Sequence, residues 1–295
     1  MTYGHTPITR FSRELTVSTL LQGGLWTLAV IAFLLSIAPG GSPLLGNLVL
    51  LLIVIAWVIL SYRSARGSRI TADSPNLIAA GRFREAEERI GEVIGTFGLF
   101  RNVKLVGLHH LALLRHAEKR FHDAAAVCRL ILKQRLGGVR GLAKPTQLIL
   151  ADSALEMGDL RAAYDAISAL YRERLTLGEA LTLLSIQSDY LAHIGAWDEL
   201  VESMEKKVAL AELMPPSAAA RTQAMLALAA RRTGRHDWAD FLRRRVELLT
   251  DVQELTAQRP MLMELWQVAS PAGSDESAHT EVRHDEVGTD GGRAE

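Results

Sequence analysis

Histidine is the side chain in this sequence with most to offer chemically. Of its nine copies, four cluster as His109, His110, His116 and His122. A metal centre is the first reading to test. His109 and His116 are seven residues apart and share a helix face, but at 1.5 Å per residue they stand about 10 Å apart along the axis. That is too far for both imidazoles to reach one ion, and no cysteine lies nearby to complete a ligand set. They are expected to be exposed side chains, and no metal is expected. Cys128 is the sole cysteine, so an intrachain disulfide is excluded. It falls on an apolar stripe, where a thiol acts as core filler.

No constellation for covalent or acid–base catalysis is present. The sequence lacks GxSxG, HExxH, Walker A and GxGxxG, whose residue types and spacing build nucleophiles, zinc sites and phosphate cradles. No enzyme activity, cofactor or small-molecule substrate is expected. The 33 basic and 33 acidic side chains cancel, which gives no support for nucleic-acid binding. The balance hides a gradient. Residues 271–295 carry seven carboxylates against Arg283 and Arg293, a net charge of −5 that leaves +5 on the rest. The basic run Arg243-Arg244-Arg245 reads as a solvated face, with anionic lipid headgroups as its alternative contact.

Two elements dominate the N-terminal part. Leu20–Ala38 and Leu44–Tyr62 are uncharged stretches of 19 residues each, and each reaches roughly 28 Å as a helix, close to the hydrocarbon thickness of a bilayer. Only the turn Pro39-Gly40-Gly41-Ser42-Pro43 separates them, so a tight transmembrane hairpin is expected over 20–62. Arg10 and Arg13 precede it and Arg63, Arg66 and Arg69 follow it. The positive-inside bias therefore puts both ends in the cytoplasm of an integral membrane protein. The spans contain no acid or base, so they read as an anchor rather than an ion pathway.

Beyond Asp73 the pattern is helical, and one short turn recurs. It reads Gly81-Arg82-Phe83, Lys119-Arg120-Phe121, Gly158-Asp159-Leu160, Gly195-Ala196-Trp197 and Gly234-Arg235-His236, at steps of 38, 39, 37 and 39 residues. Small residues accompany it on both sides. Ala112, Ala151, Ser188 and Ala227 come before the turns, and Ala86, Ala124, Ala163 and Ala239 come after. A fixed period of this size indicates helix pairs that bury their apolar faces only against neighbouring pairs.

These motifs resemble tetratricopeptide repeats (TPR) over residues 74–250. The departures are Pro75 in a shortened first helix, Lys119 for a turn glycine and His236 for an aromatic residue. The resemblance implies an all-α fold in which the transmembrane hairpin is followed by a TPR-like α-solenoid of about five helix pairs. In this reading 1–19 is a cytoplasmic segment, 63–73 a basic juxtamembrane linker, 251–269 a capping helix split at Pro260, and 270–295 a disordered acidic tail.

The family's leading helices line a concave groove that holds a peptide or a partner's helix. Carried over by distance before each turn, the resemblance implies a groove made of His109, Leu113, His116, Leu148, Asp152, Glu156, Ser185, Asp189, His193, Arg231 and Arg232. Asp152, Glu156 and Asp189 would form an acidic centre, with a basic or amphipathic protein segment as the partner it suits. The chain is thus expected to be a membrane-anchored scaffold, with the lipid bilayer and a protein or peptide as its partners. An alternative makes the hairpin itself the specific contact, as in envelope or haem-pathway assembly factors of similar layout, although no residue here supports haem ligation.

Overall fold

The computed structural model describes residues 23–24, 27–31, 33–34, 43–95, 101–134 and 136–267. The N-terminal segment, most of the first expected span, the turn at 39–42 and the acidic tail lie outside the described residues. All regular structure among those described is helical.

Helix α1 spans Pro43–Ala72 and continues through the basic segment after Tyr62 without a break. Leu48, Leu51, Leu52, Val54, Ile55, Val58 and Ile59 lie exposed along one broad arc, while Val49, Leu50, Ile53, Ala56 and Trp57 on the other side are half-buried. The open arc is as apolar as the covered one, unlike an amphipathic helix at a protein–water boundary. Among the described residues no helix is long and apolar enough to cross a membrane. The side chains described in α1 run unbroken only from Asn47 to Ile59.

The helices that follow come in pairs. They are α2 (Ser74–Ala79) and α3 (Phe83–Gly95), α4 (Arg101–Ala117) and α5 (Phe121–Leu132), and α6 (Ala143–Glu156) and α7 (Leu160–Leu170). Next come α8 (Leu177–His193) with α9 (Trp197–Val201) and α10 (Met204–Ala211), then α11 (Pro216–Arg232) with α12 (His236–Leu249). Pro75 sits in the first turn of the short α2, where its missing N–H would be unpaired in any case.

Every turn between the two helices of a pair has the same backbone. Gly81, Lys119, Gly158, Gly195 and Gly234 have φ of 72°, 61°, 72°, 72° and 76°. Each turn residue donates its N–H to the carbonyl three residues back, and the next residue donates to the carbonyl five back, as in Gly158 to Leu155 and Asp159 to Ala154, both at 2.9 Å. This is the Schellman closure of a helix C-terminus, which needs a left-handed residue and therefore favours glycine. Lys119 adopts it without that freedom, at about 1 kcal/mol.

The small residues sit where the helices come closest. Ala86, Ala112, Ala124, Ala151, Ala163 and Ala227 are fully buried, and Ser188 nearly so. At Gly107 a Cβ would stand 3.4 Å from Cγ1 of Ile94, so α3 and α4 approach almost backbone to side chain. Leading helices α4, α6, α8 and α11 pack side by side in that order. Each trailing element from α3 to α10 is wedged between the leading helix before it and the one after it.

Two irregularities interrupt this order. The fourth trailing helix breaks between α9 and α10, where Glu202 is extended and Ser203 left-handed. Lys207 Nζ covers the carbonyls freed at the break, donating to Glu199 O at 2.7 Å and Leu200 O at 3.0 Å. The second irregularity is at the end of the chain. Helix α13 (Val252–Gln258) and a 3₁₀ turn (Pro260–Leu265) form an arm whose 3₁₀ part packs on the leading helix α11. Leu255, Leu262 and Leu265 enter the core of the last pairs beside Leu242 and Val246.

Candidate partner-binding site

The leading helices bring three of the expected acidic residues together. Asp152 and Glu156 are one turn apart near the end of α6, and Asp189 occupies the corresponding stretch of α8. Two guanidiniums hold them. Arg221 of α11 lies 3.2 Å from Asp152 Oδ1 and 3.8 Å from Glu156 Oε1, and it makes a closer contact with Asp189 Oδ2. Arg259, at the joint of the arm, donates from Nη1 to Glu156 Oε2 at 3.1 Å. Its Nη2 contacts Glu156 Oε1 and reaches Asp189 Oδ2 at 3.3 Å. His116 of α4 completes the group, its Nε2 3.0 Å from Asp152 Oδ2.

The electrostatics follow from this packing. Burial alone would raise the Asp152 carboxyl, but the hydrogen bond from His116 and the charge of Arg221 outweigh it and bring it down to about 2. Asp189 is fully buried, and a buried carboxylate is sustained only by such partners. Its Oδ2 has both guanidiniums, while its Oδ1 has no hydrogen-bond partner among the described residues. Three carboxylates face two guanidiniums and one imidazole.

The other expected groove residues divide into three sets. Arg231 and Arg232 close on the chain's own arm: Arg231 donates to the backbone oxygens of Glu264 and Gln267, and Arg232 pairs with the Glu264 carboxylate while stacking 4.5 Å above the Trp197 ring. His193 borders the acidic group, its Nδ1 donating to Asp189 O at 2.8 Å. Burial, and then the charge of Arg259, lower its pKa below the ordinary imidazole value. Ser185 is half-exposed on the same helix.

The last set is core. Leu148 is buried in the central cluster, and Leu113 packs against the cluster upstream. His109 corrects the expectation of an exposed side chain. It is buried, its Nδ1 3.0 Å from Thr146 Oγ1, and burial followed by the neighbouring His110 lowers its pKa to about 4. The His109 ring is therefore a neutral hydrogen-bonded wedge between α4 and α6. Among the described residues no cluster of His, Cys, Asp and Glu suits a metal ion.

Arg221 and Arg259 were invisible to the spacing argument for different reasons. Arg221 lies thirteen residues before Gly234, one helical turn above the highest position considered, so continuing the same periodicity upward would have found it. Arg259 is 103 residues from Glu156, and no local pattern connects them. Comparison with known proteins adds no relative: no family model matches the chain, and neither a curated protein nor a solved structure is significantly similar.

Proposed function

We propose that the chain is a membrane-anchored, TPR-like helical solenoid whose leading-helix face binds a segment of a partner protein. The observation that carries the reading is the acidic group itself. Asp152, Glu156 and Asp189, from successive leading helices, converge on guanidiniums in a partly buried site. Ion clusters of this kind specify partners more than they add stability. The five identical turns and the neighbour-to-neighbour packing support the solenoid. The exposed apolar arc of α1 supports the anchor, because water solvates such a surface poorly while a bilayer does not. Arg63, Arg66 and Arg69 favour a cytoplasmic position for the helix pairs.

In-cell photocrosslinking tests the reading, with the photoreactive residue at Ser185 or His193 so that the buried carboxylates stay intact. One reproducible protein captured from both positions supports a working groove. Capture only of scattered abundant proteins removes it and shifts attention to the apolar surface of α1 as the specific contact.

A further inference from the structure

We infer that Arg259 is an internal stand-in for a partner's arginine, and that the arm holding it must yield when the partner binds. The inference rests on the groove reading above and names the chemistry of its ligand. Three observations converge on it. First, the guanidinium that bridges Glu156 and Asp189 is delivered from outside the leading-helix layer, by a joint where Arg259 leaves helical geometry with φ −135° and ψ 82°. Second, beside its buried Leu255, Leu262 and Leu265, the arm is held at the rim by polar contacts: Arg231 to two backbone oxygens, Arg232 to Glu264, and Trp266 Nε1 to Glu247 Oε1 at 2.9 Å. Such rim contacts are individually weak and exchange readily with water. Third, the site retains unused capacity. Asp189 Oδ1 is buried without a partner, so Arg259 does not satisfy the group fully.

A guanidinium that gives Asp189 two parallel hydrogen bonds would satisfy both oxygens, the geometry for which arginine is better suited than lysine. The ligand is therefore a protein segment that presents an arginine from non-helical backbone, flanked by apolar residues that replace Met261 and Leu262. Its entry also exposes the 3₁₀ face of the arm, where Leu262 and Leu265 are buried, so that binding at the groove changes the surface at the C-terminal end.

The test uses the full chain in detergent micelles and a fluorescent synthetic peptide of residues 251–267 as probe. Arg259→Gln should bind this probe about tenfold more tightly than the unsubstituted chain, since its own arm has lost a charge-assisted anchor. On that same variant, a second probe carrying glutamine at the arginine position should bind at least about tenfold more weakly. This comparison holds the protein constant and is immune to any loss of stability in the variant. Equal affinity for the two probes, or equal affinity of the two chains for the first, overturns the inference. Displacement without any crosslinked cellular partner would instead remove the functional reading and leave the arm as an internal strap.

Discussion

Helix α1 and the C-terminal arm are both appendages to the same succession of helix pairs, yet they meet their surroundings in opposite ways. The arm is short, with helical pieces of 7 and 6 residues. It sends Leu255, Leu262 and Leu265 inward and satisfies its polar groups on Arg231, Arg232 and Glu247. Helix α1 is 30 residues long, packs against α2, α3 and α4, and leaves seven large apolar side chains from Leu48 to Ile59 exposed. A segment as short as the arm has little helix stability of its own and takes its shape from the surface it covers. Helix α1 is long enough to hold its backbone without such a surface, and it leaves its apolar side chains open. The arm thus covers its apolar side chains within the protein, whereas α1 leaves seven of its own uncovered.

The largest expected effect breaks this contrast at α1. Under the proposed anchoring by α1, Leu52→Arg combined with Ile55→Arg should move most of the chain out of the carbonate-resistant membrane fraction, because each arginine at the centre of a span opposes insertion by about 3 kcal/mol. Met263→Arg in the arm, at a position that is also apolar and exposed, should leave partition unchanged. Equal behaviour of the two would mean that α1 has no special relation to lipid.

A smaller effect is expected from acid. His109 has its folded pKa depressed from 6.5 to about 4, so its neutral form is the folded one. The stability it contributes is complete above pH 6.5 and is lost as pH falls toward 4, on the order of 3 kcal/mol. Asp152, lowered from 3.8 to about 2, adds a second loss between those values, as its carboxylate must be protonated in the cluster. Thermal melts from pH 7 to 2 should therefore fall in two steps, with His109→Gln removing the first. A single step in both proteins would contradict the buried, neutral ring.

The smallest effect tests the shared turn. Lys119→Gly should raise stability by about 0.5 kcal/mol, since relief of the left-handed strain exceeds the backbone entropy that glycine loses on folding. The same change at a helical position such as Lys206 of α10 should destabilise.

The turns and the pairing were readable in the sequence because each depends on a local requirement: a left-handed residue to close a helix, and small residues where two helices touch. Ala112, Ala151 and Ser188 lie buried where that argument put them. The break at Glu202–Ser203 was not readable, since neither glycine nor proline marks it and Lys207 repairs it only through tertiary contact. The acidic half of the site was readable from position along the leading helices. Of its basic half, Arg221 lay one turn beyond the positions mapped, while Arg259 depends on where a distant arm comes to rest, which only the assembled cores of the last pairs determine. His109 shows the same limit: spacing put it on the right helix face, but burial against Thr146 depends on how α4 and α6 pack.

A double-mutant cycle between Glu156 and Arg259, read by thermal unfolding of the full chain, tests the central claim most directly. Glu156→Gln, Arg259→Gln and the double variant separate their mutual interaction from whatever each loses alone. Docking of the arm on the acidic group predicts a coupling of about 1–3 kcal/mol, appropriate to a mostly buried charged pair. Additive effects, with coupling within about 0.3 kcal/mol of zero, would mean that the arm does not engage the acidic group.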